Sequence, residues 1–483
     1  MPSSQSLKKD TIKGLSWSLI EAASSQGIRF VIGIILARLL VPEMFGLIAM
    51  LLIFITFGEI FVDSGFGTAL IQKQKITERE ICSVFYFNIF VGLIAAALLF
   101  FAAPVIAAFY NQPTLTPLTR LLSLIFIINS LGTIQSILLI KRVDFRSLAK
   151  LSTISNFISG IIGISLAVMG YGVWSLVIQQ ISAAVAKNFL YWFYSAWRPS
   201  LLFSINAIRQ MLRFSLSILA IGILNRTSES IYYMVIGKLF SATDLGIFSR
   251  ANQLQSFPSS ALGMIVGRVT FPVFAKVQHD PPILKLGLRK TLTILAFLIF
   301  PIMVGIAAVA KPLILVLLTD KWAATIPYLK LLSVVGILFP LEWIRQQAIQ
   351  AVGRPDLSLR VEIIKKLALF ISIAVMWYWG IFGIIAGMIF SSLLSLSLNI
   401  RYIAIVTQYS TREQLRDMLP YFTISIIMGA IVFSISYLLD NYSPLYQLLI
   451  QSFTGFLFYV GIAWVFRTSA IMSIQQELRQ LIR

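Results

Sequence analysis

Fourteen stretches of membrane length, joined by short loops, leave this chain little choice of fold. A bilayer core needs roughly 20 predominantly apolar residues per helix. On that measure the spans are 12–36, 44–70, 80–103, 118–140, 149–169, 172–193, 213–237, 244–275, 287–309, 326–350, 357–379, 380–406, 418–439 and 444–466. Composition agrees, since 58% hydrophobic residues, 12% charged residues and a mean hydropathy of +0.88 lie far outside soluble domains. The fold class expected is therefore an all-α integral membrane protein of about 14 transmembrane helices.

Lys and Arg test that count, because cytoplasmic loops are enriched in them. Most of the 39 Lys and Arg alternate with the spans when the N-terminus is placed in the cytoplasm, and an even number of helices then returns the C-terminus there. The first span is too long and too charged for a removable signal peptide, so the N-terminus is expected to be retained. The same topogenic charge accounts for the net +20 and a pI near 10.1, and no nucleic-acid partner is needed to explain it. Inner loops such as Lys141-Arg142-Val143-Asp144-Phe145-Arg146 are read in this way, with no ligand assigned. Outer loops such as Tyr110-Asn111-Gln112-Pro113 are short and nearly uncharged; the longest, Ala310 to Thr325, reads as a short interfacial helix with Trp322 at headgroup level. A single Cys82 and a single His279 exclude a disulfide framework and argue against a Cys/His metal site or a histidine-based catalytic centre. No catalytic residue and no metal ligand is assigned, and Cys82 reads as a packed small residue.

A shift of 200 residues aligns Arg38-Leu39-Leu40 with Lys238-Leu239-Phe240, Phe45-Gly46-Leu47 with Leu245-Gly246-Ile247, and Phe57 and Gly67 with Phe257 and Gly267. Six spans return the chain to its starting side, so the repeats would be parallel, related by an axis along the membrane normal. The organisation expected is an N-lobe at 1–193 (helices 1 to 6), a cytoplasmic linker at 194–212 containing Trp197-Arg198-Pro199, and a C-lobe at 213–406 (helices 7 to 12). An appended pair, helices 13 and 14, and a short cytoplasmic tail occupy 407–483.

Charges inside the spans carry the functional signal, because a charge at mid-membrane costs at least about 2.5 to 3.5 kcal/mol and normally faces a bundle interior or a watery cavity. Helix 1 stacks Glu21, Ser25 and Arg29 at four-residue intervals, and helix 2 places Glu59 and Asp63 one turn apart. Helix 7 holds Asn225, Arg226 and Glu229, and helix 10 holds Lys330, Glu342 and Arg345. Helix 8 holds Arg250, Gln253 and Arg268; its arginines are five turns apart on one face, with Pro258 between them as an expected kink. Pairs such as Arg226 with Glu229 suit helix-to-helix glue. The set as a whole is more basic than acidic, which glue does not require, and a cationic cavity favours an anionic substrate. The candidate substrate-binding residues are Arg29, Arg226, Arg250, Arg268 and Arg345. For Glu21, Glu59, Asp63 and Glu229, Na⁺ or H⁺ coupling and helix packing stand as alternative roles, and no other cofactor is assigned.

With these residues in view the chain resembles the Wzx-type polysaccharide and O-antigen flippases of the multidrug, oligosaccharidyl-lipid and polysaccharide exporter (MOP) superfamily. The resemblance rests on Gly14-Leu15-Ser16-Trp17, on the run from Leu36 to Gly46 that includes Leu40-Val41-Pro42-Glu43-Met44-Phe45-Gly46, on Asp63-Ser64-Gly65-Phe66-Gly67 with Ala69-Leu70-Ile71-Gln72, and on fourteen helices. It implies two six-helix lobes around a central cavity and a bacterial inner-membrane location. It further implies alternating-access export of undecaprenyl-pyrophosphate-linked oligosaccharide for O-antigen, capsule or exopolysaccharide, with membrane lipid and a glycan polymerase complex as partners. Lipid II flippases of the superfamily carry cavity arginines on helices 1, 2 and 8; Arg29, Arg250 and Arg268 match helices 1 and 8, whereas helix 2 here offers Glu59 and Asp63. No ATP-binding motif is present, so membrane potential or ion antiport is the energy source expected. A drug or cation antiporter of the same superfamily and a membrane-embedded glycan polymerase or ligase are the alternatives, the first better suited by an acidic cavity and the second by a large outer loop with acid/base groups. Reporter fusions after Gln112 and after Gln278 test the topology: the first is expected outside and the second inside, and matching sides would contradict it.

Overall fold

The computed structural model describes residues 24–63, 65–466 and 470–472, without the side chains of 221, 224–229, 268 and 269. Glu21 and the run from Gly14 to Trp17 lie outside the described residues, as do the side chains of Arg226, Glu229 and Arg268. Every regular element among the described residues is helical, because no other open segment satisfies its own backbone in hydrocarbon. Among the described residues ten helices are long and apolar enough to cross a membrane, with 115–141 and 355–407 each counted as one.

The helices are α1 (24–39), α2 (Pro42–Asp63), α3 (Phe66–Gln72), α4 (Glu78–Tyr110), α5 (Leu115–Leu122), α6 (Leu124–Lys141), α7 (Phe145–Val168), α8 (Val173–Tyr194) and α9 (Ile205–Leu239). They continue with α10 (Ala242–Lys276), α11 (Pro281–Ala308), α12 (Ala310–Leu317), α13 (Thr325–Ala351), α14 (Pro355–Met376), α15 (Gly380–Thr407), α16 (Thr411–Leu438) and α17 (Pro444–Val465). The chain falls into two compact units that divide within α10, one ending at Ser249 and one starting at Arg250.

In the first unit the second expected span does not run straight to Leu70. It breaks after Asp63, where Gly65 adopts a positive φ of 70°, and a Cβ on Gly65 would meet the Ser215 carbonyl of α9 at 2.5 Å. Only glycine combines that backbone with so close a neighbour. The short α3 that follows is held at its C-terminal end by Lys141, whose Nζ donates to the Leu70 carbonyl at 2.8 Å. The linker is docked rather than loose: Trp197 Nε1 donates to Glu78 at 2.9 Å, the Ser204 N–H donates to Ser83 Oγ at 2.9 Å, and Trp197 packs edge-on against Phe85. Cys82 is buried beneath it.

The first unit also contains a very close approach of backbone to backbone. A Cβ on Gly46 would sit 1.7 Å from the Ala242 carbonyl oxygen, and one on Gly246 would sit 1.9 Å from the Pro42 carbonyl oxygen. The numbers differ by 200, so each repeat's glycine touches the other's helix start, the reciprocal pattern of a two-fold contact. The sequence repeat is therefore a physical one here.

In the second unit α16 is fastened to α11 at one end by Lys285–Glu413 at 2.8 Å and Arg289–Asp417 at 2.5 Å, and just past its other end Asp440 pairs with Lys311 of α12 at 2.8 Å. Between these, Tyr459 of α17 donates its hydroxyl to the Phe297 carbonyl at 2.9 Å. The loop from Ala310 to Thr325 does contain a short helix, α12, and Trp322 beyond it is fully buried within the protein. Its large ring fills the interior, where it removes more apolar area from water. α10 runs unbroken through Pro258 and Pro272.

A methyl group at Gly46 or Gly246 would collide with backbone and cannot be accommodated by a rotamer change. Gly46→Ala and Gly246→Ala are each expected to destabilise the purified protein by about 1 to 3 kcal/mol. Gly461→Ala, whose added carbon meets nothing within 4 Å, is the control expected to be neutral, with thermal unfolding in detergent as the measurement.

Candidate functional site

On α1 the expected polar face divides by role. Ser25 is buried and accepts a hydrogen bond from Asn156 Nδ2 at 2.8 Å, and Ser24 lies 3.4 Å from the Thr153 hydroxyl, so these residues tie α1 to α7. Arg29, one turn beyond Ser25, is exposed. Hydrocarbon would not tolerate an exposed guanidinium at that depth, so its surroundings must be polar or aqueous.

Helix α2 turns Glu59 and Asp63 to accessible surface. Glu59 accepts a hydrogen bond from Asn129 Nδ2 of α6 at 3.1 Å. Asp63 ends α2, and its Oδ1 lies 3.2 Å from where a Cβ on Gly67 would be, so the carboxylate sits over the first turn of α3, where a negative charge complements the helix dipole.

In the second unit α10 separates two faces. Gln255 and Ser259 are buried, and Ser259 Oγ donates to the Gly336 carbonyl of α13 at 2.8 Å. Arg250 and Gln253 lie on the more accessible side, the guanidinium of Arg250 donating to Gln253 Oε1. The unbroken α10 supplies the continuous helix that the eighteen-residue spacing to Arg268 requires.

Helix α13 is different. Arg345 is fully buried and directs its donors to Gln414 Oε1 at 3.1 Å, to the Leu341 carbonyl at 2.9 Å and to Met418 Sδ at 3.3 Å. Gln414 is held in turn by donating to the Ile400 and Tyr409 carbonyls. This guanidinium joins α13, α15 and α16 and faces no open space. Glu342, one turn earlier, is also buried; one carboxylate oxygen accepts from Lys365 Nζ at 2.6 Å and from Ser395 Oγ at 2.8 Å, while Oε1 has no hydrogen-bond partner.

Sequence reasoning passed over Lys365, Asn129 and Asn188. Lys365 stands on an inner third of its span, where a lysine reads as topogenic. The asparagines are uncharged and carry no hydropathy alarm, although an amide at mid-span was the available signal.

The second unit also encloses an apolar cavity of about 450 Å³ among α11, α16 and α17, with Gln451 fully buried in its wall. Among the described residues no group of His, Cys, Asp and Glu is arranged to hold a metal ion.

These features define a class first: a multi-pass helical membrane protein with the fold of the MOP superfamily. The structure matches the lipid II flippase MurJ in an inward closed conformation with a TM-score of 0.76 at 17% identity, covering 97% of this chain and 100% of that one. It also matches an inward-facing MATE family multidrug resistance transporter of the MOP superfamily, with a TM-score of 0.62 at 15% identity over 81% of this chain and 99% of that one. The chain itself belongs to the polysaccharide biosynthesis protein family, which it matches over residues 35–327. It is 30% identical to the teichuronic acid biosynthesis protein TuaB of Bacillus subtilis over 80% of this chain and 81% of that protein. It is 31% identical to the succinoglycan biosynthesis transport protein ExoT of Rhizobium meliloti (69% and 67% covered), and 28% identical to the lipopolysaccharide biosynthesis protein WzxC of Escherichia coli (74% and 74% covered). The Wzx-type resemblance read from the sequence holds at this level.

The Glu342–Lys365 pair behaves as a buried fastener in this geometry. Lys365→Met leaves a buried carboxylate alone and is expected to cost about 3 to 5 kcal/mol. Combining it with Glu342→Gln is expected to restore most of that stability, as read by thermal unfolding of the purified variants.

Proposed function

We propose that this protein is a flippase that carries an undecaprenyl-pyrophosphate-linked oligosaccharide, a repeat unit of O-antigen, capsule or exopolysaccharide, from the cytoplasmic to the outer leaflet by alternating access. The observation that carries the reading is the contrast among the intramembrane arginines. Arg345 is sealed among neutral partners, whereas Arg29 is exposed and Arg250 is only partly buried, on helices that must pass through hydrocarbon. Pyrophosphate oxygens pair well with such guanidinium forks. Family membership and relatives named for polysaccharide biosynthesis and transport support the same substrate class.

In this reading Arg29, Arg250 and Arg268 serve the pyrophosphate, with Arg226 beside them on helix 7, while Arg345 holds the scaffold from which the site is built. Fourteen spans place both termini in the cytoplasm of a bacterial inner membrane, with lobes at 1–193 and 213–406, a linker at 194–212 and the appended helices at 407–483. No bond is made or broken and no cofactor is needed, so the protein is a transporter and not an enzyme. Outward movement of an anion gains about 2.3 kcal/mol per charge per 100 mV of inside-negative potential, and Glu21, Glu59, Asp63 and Glu229 are the residues through which Na⁺ or H⁺ would couple. A glycan polymerase complex would receive the exported unit.

The test is a glycan-export assay corrected for protein level. Arg29→Gln, Arg250→Gln and Arg268→Gln are each expected to lower export at least about tenfold, the loss of roughly one charge-assisted contact, and Arg→Lys to restore it in part because the ammonium lacks the bidentate fork. Near-normal export by all three would overturn the pyrophosphate role. Rescue of Arg29→Gln by adding Glu21→Gln would instead make Arg29 a helix fastener.

A further inference from the structure

The segment between α8 and α9, residues 195–204, directs polar groups inward and leaves apolar side chains outside, the reverse of what water would select. The Tyr86 hydroxyl of α4 donates to the Ser200 carbonyl at 3.2 Å, Ser200 Oγ lies 3.3 Å from Cys82 Sγ, and the Ser204 N–H is held by Ser83. The Leu202 N–H donates to the Ser200 carbonyl at 2.7 Å, a tight turn with Leu201 at its tip. On the outer side Leu201 is 94% exposed, Phe203 52% and Ile205 72%. The last turns of α8 that lead into the segment expose Phe189 and Phe193, whose rings stack 6.5 Å apart. Apolar side chains clustered in this way mark a face for protein or for membrane.

Depth and charge choose between the two. Cys82, Ser83 and Tyr86 lie in the first turns of the apolar stretch of α4, which begins at Ile81 just after Glu78-Arg79-Glu80. A segment bonded to them lies level with the boundary between headgroups and acyl chains. Its irregular backbone keeps it from going deeper, because hydrocarbon offers no partner for open peptide groups. Arg198, Arg209 and Arg213 are exposed, and the last two continue, at four-residue steps, the face of α9 that Ile205 begins. Arg198 donates to the Ser195 and Trp197 carbonyls and lies over the Trp192 ring at 5.6 Å, so its guanidinium is held at the linker. The sequence has no Asp or Glu between Asp144 and Glu229. Of the acids that open α4, Glu78 accepts from Trp197 Nε1 at 2.9 Å and Glu80 pairs with Lys73. Apolar side chains beside cationic ones, at this depth, suit anionic phospholipid.

We infer that the linker inserts Leu201, Phe203 and Ile205 into one leaflet at the headgroup–acyl boundary, and that Arg198, Arg209 and Arg213 draw anionic phospholipid to the same place. Interfacial segments bury their apolar side chains about 5–10 Å into this zone, while cationic side chains reach back to the headgroups. Each arginine near an anionic surface strengthens the attraction about fivefold. On the topology proposed above the leaflet is the cytoplasmic one; the insertion itself does not depend on the flippase reading. The connection between α8 and α9 is then held by lipid on one side and by α4 on the other, so lipid composition acts on it directly.

The experiment uses the full-length protein in lipid nanodiscs. In a Cys82→Ala background, a thiol-linked environment-sensitive dye is placed at Leu201→Cys and, as control, at Lys75→Cys in the exposed loop before α4. The dye at position 201 is expected to shift to the blue and to be quenched at least about twofold more by bromine near the headgroup end of the acyl chains than by bromine near their methyl ends. The dye at position 75 is expected to respond to neither. Phosphatidylglycerol and phosphatidylcholine are then set to compete for the purified protein, with bound lipid read by native mass spectrometry. Wild type is expected to favour phosphatidylglycerol, and the combined Arg198→Gln, Arg209→Gln and Arg213→Gln variant to lose that preference at least about tenfold. Quenching at position 201 no greater than at position 75 would overturn the insertion, and a blue shift without quenching would overturn it by showing that protein covers the face. No preference for phosphatidylglycerol in wild type, or one that survives the triple change, would overturn the role of the arginines.

Discussion

Hydrocarbon offers no hydrogen-bond partner, and that absence governs how this chain is built. Each polar group within a span must be satisfied by the protein itself or must face water, and the structure contains both solutions. Arg345, Glu342 with Lys365 and Ser395, and Ser25 with Asn156 are closed protein-to-protein arrangements. Arg29, Glu59 and Asp63 are accessible. The first kind holds helices in register, and the second kind is meaningful only if a polar cargo or an aqueous path meets it. Function is thus read from which charges the fold leaves accessible.

The same constraint explains how the first unit holds together. Between apolar helices in lipid there is little hydrophobic force to drive association, so close packing of small residues carries much of it. Gly46 and Gly246 allow the starts of α2 and α10 to approach until backbone meets backbone, each against the other repeat's equivalent residue. A contact this tight and this symmetric is either fully made or absent. That suits a protein that must switch between discrete states.

Much of this was legible in the sequence, for identifiable reasons. Span positions followed from apolar length, and the two-fold relation followed from a handful of matched residues because one of them, Gly46 with Gly246, is where the repeats touch. The break at Gly65 was not read from Asp63-Ser64-Gly65, since only the nearby Ser215 carbonyl makes glycine obligatory there. That Trp322 packs wholly inside the protein was not legible, since the tertiary neighbours that bury it are not marked in the local sequence. Arg345 and Arg29 look alike in sequence; what separates them is Gln414, a partner 69 residues away that no local pattern reveals.

The central claim is that the accessible intramembrane cations exist to move an anionic lipid-linked glycan. The most direct measurement is transport in proteoliposomes of purified protein, loaded with lipid-linked oligosaccharide and given a potassium-diffusion potential of either sign. The account predicts protein-dependent movement of the glycan between leaflets, faster when the compartment facing the cytoplasmic side is negative and slower when the potential is reversed. Movement no faster than in protein-free vesicles at either sign would contradict it.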